Sequence, residues 1–199
     1  MKSVLSKFAT IALFAFVLAP AAFAGDDEAP RTLFSVADLR FSGHGGPVLR
    51  GTTLGGEPAF LAGGRGGLIV NDSLSLGFGG CGTGYTEAKA VFEGEEKRIG
   101  LGYGGFMAEY YFFPKELVFF SVGCLAGAGS VSDFYYRADD ESAFFILEPE
   151  ANVYLNVTRF FRLGAGVTYR YTNGLDLEGF DDEDMRGLSG SLLFDFGWF

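Results

Sequence analysis

The chain has 199 residues, 48% hydrophobic and 17% aromatic, with 31 glycines, one histidine and a formal net charge of −10. That composition is too aromatic and too sparsely charged for intrinsic disorder. The excess of Asp and Glu over Lys and Arg, 25 to 15, argues against nucleic-acid binding, which needs cations to neutralise phosphate. On composition alone, no basic face and no polyanion partner are expected.

The first segment reads as an export signal. Lys2 and Lys7 give a positive start, residues 8–18 form an apolar run, and Ala22-Phe23-Ala24 supplies the small-residue pattern at which signal peptidase cuts. Cleavage is expected after Ala24. The run is too short to cross roughly 30 Å of hydrocarbon as a helix, and no Cys follows the cut to take a lipid. Residues 25–38 read as a polar leader, and residues 39–199 as the folded part.

That folded part reads as strands. Segments of ten or more residues alternate with period two between turn signals, and glycine recurs too often for helix interiors. Seven strands are expected at 59–70, 73–83, 100–113, 117–132, 143–156, 160–172 and 187–199, with a weaker first strand within 39–50. Asn71-Asp72, Pro114-Lys115-Glu116 and Val157-Thr158-Arg159 give short turns, whereas 85–99, 133–142 and 173–186 are long connections, with 52–57 as the first outer loop. This alternation, with an even strand count, is the pattern of an eight-stranded antiparallel transmembrane β-barrel, whose periplasmic turns are short and whose outer loops are long. A soluble sandwich or lipocalin-like barrel is the alternative.

Side-chain parity supports the membrane reading. One face collects Phe60, Leu68, Leu76, Phe78, Phe106, Val122, Leu147, Val153, Val167, Leu192 and Phe196 without a charge. The other collects Arg65, Glu109, Glu148, Glu150, Arg162, Arg170 and Asp195, together with serines, threonines and Asn152. A cation facing lipid at mid-depth costs about 2–4 kcal/mol, which accounts for the segregation. Aromatics concentrate beside the short turns, at residues 110–113, 119–120, 160–161 and 196–199, as an interfacial girdle would. Pro149 lacks a ladder donor and marks a candidate bulge. Cys81 and Cys124 fall on non-adjacent strands with opposite facing, so two free thiols are expected.

These residues resemble small eight-stranded outer-membrane β-barrel proteins and, more narrowly, a family of exported barrels of uncharacterised role. The matching stretches are Gly43-His44-Gly45-Gly46-Pro47, Gly63-Gly64-Arg65-Gly66-Gly67, residues 148–158 and Phe194-Asp195-Phe196-Gly197-Trp198-Phe199. The resemblance implies location in the bacterial outer membrane, contact with its lipids, and insertion by the outer-membrane assembly machinery. It implies no activity. The terminal aromatic also resembles the assembly signal of such barrels, but the apolar set Leu192, Phe194, Phe196 and Trp198 is out of phase with Phe199.

Few residues suggest chemistry. Gly77-Phe78-Gly79-Gly80-Cys81-Gly82 and Gly100-Leu101-Gly102-Tyr103-Gly104-Gly105 satisfy the spacing of a dinucleotide loop, but neither opens a helix, so they read as strand glycines. His44 would have to serve any Ser-His-Asp hydrolase, yet no spacing singles out its partners. The seven lumen charges are expected to pair into a plug, since eight strands enclose little more than their own side chains. Acidic runs at 93–96, 139–141 and 181–184 read as a solvated surface, with divalent-cation binding as the alternative. Neither a cofactor, a metal nor a catalytic residue is expected. The function expected is structural or surface-interacting, with a narrow solute channel or a lipid-acting enzyme using His44 as the alternatives.

Overall fold

Strands that commit one face to apolar residues and the other to polar ones are stable only if both faces find their solvent and no edge is left unpaired. The computed structural model describes residues 39–199 apart from 93–94, 134–141 and 178, and within them such strands close into a barrel. The proposed signal peptide and polar leader lie outside the described residues, as do Glu93, Gly94 and the acidic run 139–141.

In chain order the elements are β1 (Phe41–Leu54), β2 (Glu57–Val70), β3 (Leu74–Thr86), β4 (Lys89–Phe92), β5 (Glu95–Phe112), β6 (Val118–Asp133), β7 (Ser142–Asn156), β8 (Phe161–Asn173), β9 (Asp176–Leu177), β10 (Phe180–Asp181), α1 (Asp182–Met185) and β11 (Gly187–Gly197). Eight of them, β1, β2, β3, β5, β6, β7, β8 and β11, pair antiparallel with their neighbours. Closure comes from β11 against β1, so every barrel strand has two partners.

Parity places the side chains as the alternation requires. Along β7, Phe144, Ile146, Glu148, Glu150, Asn152 and Tyr154 are buried in the interior, while Leu147, Val153 and Leu155 are exposed outside. Exposed apolar side chains ring the exterior, among them Phe78 at 71% and Trp198 at 81%. Such a surface far exceeds what water tolerates on a monomer, and hydrocarbon is the solvent that matches it.

The connections differ from expectation at one end. β1 continues past Arg50 to Leu54, and the supposed first outer loop at 52–57 is a two-residue turn, with Leu54 opposite Glu57. Gly55 and Gly56 make that turn possible, because both have positive φ, 55° and 81°. Residues 85–99 are largely strand: β3 runs on to Thr86, and β4 pairs with the start of β5. Residues 173–186 carry the β9–β10 hairpin and α1. At the opposite end, Asn71 and Asp72 turn with φ of 50° and 62°, closed by the Ser73 amide donating to the Val70 carbonyl at 3.2 Å.

Pro149 makes no bulge. The β6–β7 register runs straight through Cys124 opposite Pro149, and the only disturbance is a gap in the β7–β8 ladder at Glu148 and Pro149. A register shift occurs instead between Phe60 and Leu61. The two glycine motifs face each other across β3 and β5, with Gly80 opposite Gly104. A Cβ on Gly80 would lie 2.4 Å from the Tyr103 carbonyl oxygen, so these glycines permit close strand approach.

Candidate functional site in the barrel interior

The interior is built in three layers. At the long-connection end, Leu54, Ile99, Val131, Phe144 and Ile146 meet Leu175, Phe180 and Met185, which descend from the 173–186 connection. This apolar cap was not legible in the strand pattern, because three of its eight residues come from a segment that reads as a polar loop.

The middle layer is ionic. Arg65 on β2 donates to Glu109 on β5 and, at 2.7 Å, to Glu150 on β7. Arg50 on β1 donates to Glu148 and lies 3.5 Å from the second oxygen of Glu150, so one carboxylate bridges both guanidinium groups. The excess carboxylate charge is met by neutral donors. Glu109 accepts from Ser121 at 2.5 Å, from Asn152 at 3.1 Å and from the Tyr154 hydroxyl at 3.1 Å; Glu148 accepts from the Tyr103 hydroxyl at 2.9 Å. Buried charges persist only when paired and hydrogen-bonded in this way. A cavity of about 10 Å³ beside Val48, Arg65, Met107 and Leu125 is at the lower limit for one water. Gly79 belongs to this packing, since a Cβ there would lie 3.3 Å from Leu125 and 3.4 Å from Arg65.

The seven charges expected in the lumen are therefore all buried inside, but they do not form one plug. Only Arg65, Glu109, Glu148 and Glu150 share the central network, and its second cation, Arg50, was missed because the first strand was placed to end there. Arg170 sits in the cap and donates to the Met185 carbonyl at 2.7 Å and the Thr53 carbonyl at 3.2 Å, tying α1 to β1 rather than pairing with an acid. Arg162 and Asp195 lie at the other end. Cys81 and Cys124 are free, the first buried inside and the second half-buried.

The short-turn end brings His44 between Asp195 and Ser75. The His44 Nδ1 lies 2.8 Å from Asp195 Oδ1, and Nε2 lies 2.6 Å from Ser75 Oγ. In the neutral ring the carboxylate can only accept, so the proton rests on Nδ1, and Nε2 accepts from the serine. The order is that of a nucleophile, a base and an orienting acid, but the setting is not. Ser75 is 0% exposed, and its backbone lies in the ladder opposite Ile69 and Glu109. Neither Ser75 nor His44 lines the cavities at the centre or at the mouth. A carbonyl carbon has no approach to Oγ, and a nucleophile without one is a structural hydrogen-bond partner.

Around this chain the aromatics divide. Tyr110, Phe112, Phe120, Phe196 and Trp198 face outward as a girdle requires, whereas Tyr111, Phe119 and Tyr154 turn inward and contact one another. The Arg162 guanidinium lies 4.9 Å from the Phe119 ring centre and 3.5 Å from that of Phe199. Phe199 is out of phase with the outward set because it faces in, over Arg162.

The acidic run 181–184 is spent on its own backbone. Asp181 accepts from the amides of Glu183 and Asp184, Asp184 accepts from the amide of Asp181, and Asp182 accepts from those of Gly174 at 2.8 Å and Leu175 at 3.2 Å. This capping box closes the connection over the barrel.

The chain is similar to two solved barrels. Against the crystal structure of Neisserial surface protein A the TM-score is 0.57 at 17% identity, covering 80% of this chain and 97% of that one. Against the N-terminal β-barrel domain of Pseudomonas aeruginosa OprF it is 0.52 at 14% identity, covering 79% and 97%. No family model matches the chain, nor does any curated protein. The likeness establishes the fold, a small antiparallel eight-stranded barrel of the kind found in outer membranes.

Proposed function

We propose that this protein is a sealed outer-membrane barrel with a structural or surface-interaction role and no enzymatic activity. The observation that carries the reading is the filled interior: among the described residues, paired charges at the centre and an apolar cap above them leave no continuous path for a solute. The likeness to a barrel called a surface protein supports the same reading at the level of fold. The short-turn end faces the periplasm and the 173–186 connection faces outward, as in barrels whose long connections are extracellular. Its partners are the membrane lipids and, during biogenesis, the assembly machinery that inserts the exported chain after cleavage behind Ala24.

The test combines three readouts. Membrane-extracted protein should shift in gel mobility on boiling, protease added to intact cells should cut only within residues 85–99, 133–142 or 173–186, and planar bilayers should stay silent. A steady conductance altered by Arg65→Gln would replace this reading with that of a narrow channel.

A further inference from the structure

The short-turn end holds a feature that net charge conceals. A pocket of about 650 Å³ opens there, lined by Arg40, Asp72, Lys115, Asn156, Arg159, Arg162 and their neighbours. Four cationic side chains face a single carboxylate side chain. Asp72 is already shared between Arg40 at 3.3 Å and Lys115 at 3.2 Å. Arg159 is exposed and makes no ion pair among the described residues. Arg162, 4% exposed, forms part of the wall.

Arg162 is one of three buried arginines with an unpartnered nitrogen, the others being Arg50 and Arg170, and of the three it alone lines this pocket. Its Nε donates to Asn156 Oδ1 at 2.9 Å, but Nη1 has no hydrogen-bond partner. The Phe199 and Phe119 rings contact the guanidinium, and no acid lies within ion-pairing distance among the described residues. Leaving a buried charged donor unmet is costly, and at Arg162, unlike at Arg170, an open pocket lies beside the guanidinium and can admit an acceptor. A guanidinium held in place by aromatic rings in the wall of a pocket attracts an oxyanion, and an excess of positive charge there favours a dianion over a monoanion.

We propose that this mouth binds a phosphoryl group, with Arg162 at its inner wall and Arg40, Lys115 and Arg159 at its rim. A phospholipid headgroup and a soluble phosphate ester share that chemistry.

The probe is inorganic pyrophosphate, titrated by calorimetry into the full protein purified from membranes. Saturable binding is expected, weakened about tenfold or more by Arg162→Gln, because a charge-assisted hydrogen bond is worth about 1.5–3 kcal/mol. Should Arg162→Gln lose the heat-dependent gel shift, the exposed pair Lys115→Gln/Arg159→Gln decides, with a severalfold loss expected. Repeating the titration in nanodiscs of phosphatidylcholine with and without phosphatidylglycerol separates the sources. Competition by phosphatidylglycerol assigns the site to lipid, and undiminished binding assigns it to a soluble ester. No saturable binding, or binding unchanged in the folded variants, overturns the proposal.

Discussion

The two ends of this barrel solve the same problem in opposite ways. At the long-connection end, Leu175, Phe180 and Met185 are pushed into the lumen and Arg170 donates to the Met185 and Thr53 carbonyls, leaving only its Nη1 without a partner, so the end is closed by packing. At the short-turn end the aromatic cluster stops below an open pocket, and Arg162 keeps an unmet donor. Both guanidinium groups are buried and lie on the same strand, β8. What differs is the supply of backbone acceptors. The long connection folds back and offers the Met185 carbonyl to Arg170, whereas the Pro114 and Glu116 carbonyls of a short turn accept from Asn156, at 3.0 and 2.6 Å, rather than from Arg162.

That comparison can be strained at several points. The largest effect is expected between the ends, at Arg65→Met, which leaves Glu109 and Glu150 without their shared cation and should cost about 3–5 kcal/mol in urea-induced unfolding from lipid vesicles. A cost below 1 kcal/mol would mean that the central network contributes little. At the long-connection end, Met185→Ala removes a side chain that is 0% exposed and should cost about 2–5 kcal/mol, read as faster proteolysis within 173–186. If that connection stays resistant, the cap is held by its hydrogen bonds rather than by packing.

Smaller effects separate the ends further. Ser75→Ala leaves His44 Nε2 without its partner and should cost about 1–3 kcal/mol, while a fluorophosphonate should leave wild-type Ser75 unmodified by mass spectrometry. Modification there would make the short-turn end a reactive site and undo the contrast drawn above. Asp182→Ala, which frees the amides of Gly174 and Leu175, should cost about 1 kcal/mol, within the range of a lost helix cap. Smallest is Glu96→Gln, which breaks a 3.8 Å pair with Lys89 between well-exposed side chains and should change stability by less than about 0.5 kcal/mol.

Strand parity was the part of this molecule that the sequence carried most openly. Glu148, Glu150 and Asn152 share a phase, their neighbours are apolar, and a one-residue slip would turn all three toward lipid. The pairing of those charges was not legible. Parity says that Arg65, Arg162 and Arg170 point inward, but depth along the barrel decides which meets an acid, and depth depends on register between strands distant in sequence. Arg50 was lost for a related reason: the glycines around β1 blur its end, and Gly55-Gly56 reads as a loop until both residues are seen as one tight turn. The cation cluster at the mouth was hidden by arithmetic, since a net charge of −10 does not report that Arg40, Lys115, Arg159 and Arg162 converge from three segments. The triad-like order of Ser75, His44 and Asp195 was equally invisible, being assembled from β3, β1 and β11.

The seam between β1 and β11 sets the order of events in the life of the chain. The β1–β2 ladder is continuous from Phe41 opposite Val70 to Leu54 opposite Glu57, whereas the β1–β11 ladder lapses at Gly46 and Pro47. Proline has no amide to give, so the joint that closes the cylinder is interrupted at Pro47 as the β7–β8 ladder is at Pro149. It joins the earliest strand to the latest, and loop closure over that separation is slow. Until β11 meets β1, an array of the other pairings has two unpaired edges. Any route that pairs the strands in chain order therefore leaves both edges open until its last step.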